Sequence, residues 1–225
     1  MTTALAAAQA AAATLTDLGG TLPTAVTDQL DAYAAAAEAA AALATPADDL
    51  GEAAATAIIA GLDPAADTAT QAAAHGAVLA SHVDDVRGAV DAQVATWVDA
   101  TFRPAVQTVA VARYTALVAT PVGDALAVLG AGPLTRYAGA TGAAAAAVAD
   151  VQAAEVAAAQ LASCWAVGRD DAAEHDALLF ATPATAEAYQ AKDADLFGLA
   201  GAGWDLALPA DDQALAARHV AAQAL

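Results

Sequence analysis

The chain has 225 residues, 79 of them alanine, and its 26 acidic side chains outnumber 7 basic ones for a formal net charge of -19. So negative a surface repels phosphate backbones and argues against direct nucleic-acid binding. A single cysteine excludes a disulfide framework and any multi-cysteine metal site. The mean hydropathy is positive, but alanine supplies it, and Met1–Thr16 is as long as any stretch free of Asp, Glu, Lys and Arg. That falls short of the roughly 18 apolar residues of a membrane helix and lacks the basic and leucine-rich parts of a secretory signal. The chain is therefore expected to be soluble and intracellular, with no membrane contact. One lysine, two isoleucines and no asparagine fit either a salt-adapted, halophilic host or a very GC-rich genome.

Alanine is the strongest helix former, and it fills the segments between eight prolines. In chain order, helices are expected near 4–18, 22–44, 48–61, 67–103, 105–119, 121–130, 141–167, 170–181, 184–193 and 210–223. Asp49 stands three residues before Glu52, and Asp171 three before Glu174, the spacing of a capping box. Pro209-Ala-Asp-Asp212 opens the last helix as Pro46-Ala-Asp-Asp49 opens an earlier one, with carboxylates facing the positive end of the helix dipole. From Val83 an apolar stripe runs through Val86, Val90, Val94, Trp97 and Thr101, with Asp84, Asp91 and Asp99 opposite. Proline clashes with the preceding turn, so residues 67–119 read as one long helix kinked near Pro104. The alanine face of 141–167 buries little area but lets helix backbones approach closely, which suits side-by-side packing.

Residues 194–209 break the pattern. Gly198, Gly201 and Gly203 fall within six positions and cannot sustain a helix, so a Gly-rich loop or a short extended segment is expected there, carrying Phe197 and Trp204. The fold class expected is all-α, a multi-helix bundle with the kinked long helix and this loop. Residues 1–168 form the main bundle and 169–225 a smaller helical and loop region, with one domain over 1–225 as the alternative.

Chemistry is sparse. His75 and His82, seven apart on a helix, lie about 10 Å apart along its axis, too far to share an ion. His82 and Asp85 alone supply two ligands. Asp170, Asp171, Glu174, His175 and Asp176 lack the alternating oxygens and turning glycine of a calcium loop. Neither Ser81 nor Ser163 sits in a nucleophile elbow. Cys164 precedes Trp165 in an apolar helix, where a buried inert thiol is expected. Lys192 has no Gly-rich phosphate loop. No catalytic, cofactor or metal residue is assigned. The candidate contact residues are Phe197 and Trp204, aromatic anchors for a partner's pocket. Residues 1–86 hold eleven acidic side chains and no Lys or Arg, a face suited to a basic partner.

The pattern of Leu22-Pro-Thr-Ala-Val-Thr-Asp-Gln-Leu-Asp-Ala-Tyr33 and its alanine run resembles the Ala- and Asp-rich helical virion structural proteins of tailed viruses infecting high-GC or halophilic hosts. Ala57-Ile-Ile-Ala-Gly-Leu-Asp-Pro64 and the helix through Trp97 and Arg103-Pro104 extend that likeness, over about residues 20–165 and without a diagnostic motif. It implies a non-enzymatic, multi-copy part of a capsid or head–tail joint, assembled in the host cytoplasm. Its partners are proteins, in a homo-oligomer or larger assembly. Tyr189-Gln-Ala-Lys-Asp193 is similar to the Tyr-x-x-x-Asp export signal of the Ala-rich helical hairpins secreted by mycobacteria and relatives. Their Trp-x-Gly turn is matched only by Trp165-Ala-Val-Gly168, one residue too long. A cytoplasmic helical chaperone of a halophile or actinobacterium is a third expectation, with no motif residues behind it.

Overall fold

The structure is a computed structural model and describes residues 3–42, 49–169 and 177–224. It is all-α. The helices are α1 (Thr3–Asp17), α2 (Thr24–Ala42), α3 (Asp49–Ile59), α4 (Thr68–Ser81), α5 (Val83–Trp97), α6 (Arg103–Tyr114), α7 (Thr120–Leu129) and α8 (Ala143–Trp165). Shorter helices α9 (Ala177–Phe180), α10 (Ala186–Tyr189) and α11 (Leu196–Gly201) precede α12 (Asp212–Gln223). Strands β1 (Ala181–Pro183) and β2 (Trp204–Leu206) form a two-stranded antiparallel sheet. Packing divides the chain into two compact units: Met1–Ala6 with Thr27–Val98, and Ala7–Val26 with Asp99–Leu225.

In the first unit, α3 and α4 form an antiparallel pair joined by a turn whose geometry follows from Gly61. The Leu62 N–H donates to the Ala57 carbonyl at 2.9 Å, and the Gly61 N–H to that of Ile58 at 3.0 Å. These are the two bonds of a Schellman ending. Gly61 has φ +72°, a left-handed conformation that costs a side-chain-bearing residue energy. Asp67 then caps α4, its carboxylate accepting from both the backbone N–H and the hydroxyl of Thr70. The expected continuous helix from 67 is broken at His82, whose φ of -113° and ψ of 12° end α4 and start α5. Asp84 and Asp85 then occupy the first turn of α5, where the dipole favours anions. Val83 and Val94 are buried and Tyr33 packs on Trp97 with ring centroids 5.2 Å apart, as the apolar stripe predicts. Thr101, its expected last member, is exposed.

The second unit holds most of the large buried side chains. Phe102, Val106, Ala110, Tyr114, Val118 and Val122 are buried at a strict spacing of four. In a regular α-helix each such step drifts roughly 40° around the axis, so six positions would wrap out of the core. The π-helical turn Thr115–Ala119 lies within this run and offsets drift there, because i→i+5 bonding puts more residues in a turn; a second such turn, Val98–Phe102, ends at its first member. Each turn ends immediately before a proline-containing start, Arg103-Pro104 and Thr120-Pro121. The ring would collide with the carbonyl four residues back, Ala100 or Leu117, and the wider turn makes room. The kink expected near Pro104 falls at the first of these turns, while the helix continues through the boundary expected at Pro121.

Helix α8 packs along α6 and α7. Its buried face reads Ala147, Val151, Ala154, Ala158, Leu161 and Trp165, alternating steps of four and three. That is a heptad seam of which half is alanine, which lets the neighbouring backbones come close. Tertiary polar bonds then fasten loops to this framework. The Trp165 indole N–H donates to the Pro209 carbonyl at 2.8 Å, and the Tyr114 hydroxyl to that of Phe180 at 2.9 Å. Arg103 donates to the carbonyls of Val167 and Gly168, Arg113 to that of Leu18, and Arg218 to those of Leu178 and Ala207.

The C-terminal region differs most from expectation. Residues 194–209, expected as a Gly-rich loop or short extended segment without helix, contain the helix α11 as well as β2. Gly198 and Gly201 lie inside α11, which is held by Asp195 as N-cap, its carboxylate accepting from the Gly198 N–H at 2.7 Å. A Cβ on Gly198 would stand 2.8 Å from the Ala194 side chain, so the glycine serves a close approach inside the helix. Strand β2 is a short extended segment of the kind expected within 194–209; its partner β1, with Ala181 opposite Leu206 and Pro183 opposite Trp204, was not expected. The expected helix at 184–193 shrinks to α10. Asp211 caps α12 by accepting from the Ala214 N–H at 2.8 Å, as the Pro-Ala-Asp-Asp signal predicts. The side chains of Asp49 and Glu52, and all of 170–176, lie outside the described residues.

Candidate functional site

Phe197 and Trp204, expected as exposed anchors, are 0% and 4% exposed. The correction has a clear cause. Phe197 points inward from the first turn of α11. Trp204 opens β2, stacks on Tyr189 at 6.1 Å between centroids and donates its indole N–H to the Ala188 carbonyl at 2.7 Å. Both side chains are core, and neither can fill a partner's pocket without local unfolding. Tyr189, first residue of the export-like motif, is held in the same stack, with Lys192 above its ring at 5.6 Å.

The remaining sequence candidates are dispersed. His75 is exposed on α4, and His82 at the α4–α5 break places Nδ1 3.2 Å from Asp85, so the two histidines do not share one continuous helix. Among the described residues no three metal-ligating side chains gather. Ser163 is exposed. Cys164 is buried, its thiol 3.6 Å from the Ala11 carbonyl, and burial pushes its pKa up to about 11 despite a bond with Thr14. Only the deprotonated thiol is a nucleophile, so it is unreactive at neutral pH.

Two features were not found from the sequence. The first is a cleft of about 790 Å³ beside α8 and α11, with an apolar floor of Ala158, Phe180, Leu196 and Leu199. Its polar rim includes Glu155, Lys192 and Asp195. Partial burial, and then the charge of Asp195, raises the pKa of Glu155. Asp195 is already engaged as the α11 cap. The second feature lies at the end of α3. Ile58 and Ile59, the only isoleucines in the chain, are 65% and 87% exposed, and Leu62 across the Schellman turn is 54% exposed. Leu62 and Ala57 also line a groove of about 330 Å³ between α3 and α4, which Asp67 flanks. The signal was present in the sequence as Ala57-Ile-Ile-Ala-Gly-Leu-Asp, but an aliphatic pair on a helix is ordinarily core.

No family model matches the chain, and neither curated proteins nor solved structures give a match. No helix among the described residues is long and apolar enough to cross a membrane.

Proposed function

We propose that this chain is a non-enzymatic structural and interaction protein, a multi-copy component of a tailed-virus particle associated with the capsid or the head–tail joint. The observation that carries this reading is the exposed Ile58–Ile59–Leu62 cluster in a chain whose other large side chains mostly serve its interior. Adjacent exposed aliphatics of this kind mark contact surfaces in a way that scattered ones do not. The tryptophan and arginine bonds described above add support, because they hold the chain's own loops rather than face a substrate. The diffuse likeness over residues 20–165 supplies the viral part of the proposal.

Mass spectrometry of purified particles from the native host tests it. The chain is expected in many copies per particle, with its gene beside capsid or tail genes. Absence from every assembly, together with monomeric sedimentation at all salt concentrations, would overturn it.

A further inference from the structure

We infer that the end of α3 is a docking surface for a basic amphipathic helix of another protein, which places its apolar face on Ile58, Ile59 and Leu62 and its Lys or Arg side chains on the surrounding acids. The inference rests on the interaction-protein reading and names the partner's chemistry. The apolar part is exposed: Ile58, Ile59 and Leu62 fall within five positions at the end of α3, all more than half exposed. The Schellman turn fixes Leu62 against the end of the helix through two backbone bonds, so the cluster is preformed.

Charge selects the occupant. A helix C-terminus carries partial negative charge, and α3 has no basic residue in its last turn to offset it. Asp63 follows directly and is exposed. One of its carboxylate oxygens accepts from the Ala65 N–H at 3.0 Å, which orients the group beside the aliphatic cluster. Asp67 stands at the groove. Residues 27–98 hold eleven acidic side chains against one arginine, Arg87, and that arginine lies 4.0 Å from Asp84. A second copy would bring the same acidic rim to this surface and be repelled. A helix with cations around an apolar stripe meets both the exposed aliphatic side chains and the acids beside them.

The test uses the full chain and a synthetic helix of about 18 residues, five turns, with leucine on one face and lysine elsewhere. A counterpart keeps the leucine face and replaces lysine by glutamate. Fluorescence anisotropy is expected to show saturable binding of the lysine helix, weakening as salt rises, and none of the glutamate helix. The doubly substituted Ile58→Ser, Ile59→Ser chain should bind roughly tenfold more weakly or worse, and Asp63→Asn should also weaken binding while keeping the Ala65 bond. Val220→Ser, at another exposed aliphatic position, should leave binding unchanged. Circular dichroism checks that each variant is folded. Equal binding by the double serine variant would overturn the inference, since attraction would then be diffuse charge. Equal binding of both helices, no binding of either, or self-association of the chain that the serine variant abolishes would overturn it too. Particle mass spectrometry reads the broader proposal separately, so the docking surface can fail while that proposal stands.

Discussion

At the residue scale, scarce polar side chains hold the chain's loops. Arg218 shows the balance. Its guanidinium reaches two carbonyls, that of Leu178 in α9 and that of Ala207 just after β2. Burial lowers its pKa, while Asp205 and Tyr114 act in the opposite direction. Arg218→Ala leaves both carbonyls without that donor and is expected to destabilise by about 2 kcal/mol in urea unfolding. Trp165→Phe keeps an aromatic ring but removes the donor to Pro209, and about 1–3 kcal/mol should be lost. Cys164 makes a pH prediction. Its folded pKa of about 11 exceeds the ordinary 9.0, so burial of the neutral thiol stabilises fully below pH 9. That contribution fades as pH rises through 11, and at neutral pH the folded chain should react with a disulfide reagent roughly a hundredfold more slowly than the unfolded chain. Glu155 has the same sign. Its raised pKa means the ionised form is disfavoured in the fold, so Glu155→Gln should raise the unfolding midpoint at pH 7. The gain should vanish below the ordinary value of 4.5, where both states are protonated.

At the element scale, much of the fold was legible because alanine propensity, proline punctuation and caps are local. The Asp211 cap was read correctly for that reason, and Asp211→Ala is expected to cost about 1 kcal/mol in thermal or urea unfolding. The close-packing face of α8 was legible from its alanines. Enlarging the seam with Ala154→Leu, at a position 1% exposed, should cost about 1–3 kcal/mol by the same measurement. The π turns were not foreseen, although Phe102 to Val122 at steps of four carries the signal. A pattern of period four fits neither the α-helix nor the strand, and only a widened turn brings it into phase. Residues 194–209 failed differently. Glycine count argued against a helix, but Asp195 caps α11 and Gly198 fits a contact too close for a side chain, so packing overrode propensity.

At the scale of the whole molecule, an excess of 26 carboxylates over 7 cations makes self-repulsion the dominant long-range term. The unfolding temperature is expected to rise between low salt and about 1 M salt, where the screening length falls to roughly 3 Å. The two units should also differ. The first buries few large side chains, among them Leu30, Val83, Val94 and Val98, while the second buries Phe102, Tyr114, Trp165, Phe197 and Trp204. Hydrogen exchange by mass spectrometry should therefore show faster exchange in α3 and α4 than in α6 and α8. Equal protection would contradict the burial pattern.

The sequence by itself determined an all-helical chain, its principal helices, its charge and the caps that begin α12, because these depend on neighbours within a few residues. It did not determine which apolar side chains face inward. Phe197 and Trp204, read as contact residues, are buried; Ile58 and Ile59, assigned to no surface from the sequence, are exposed. Hydrophobicity marks a side chain as able to be buried, but whether it is depends on what the rest of the chain lays over it, and only the tertiary structure decides that.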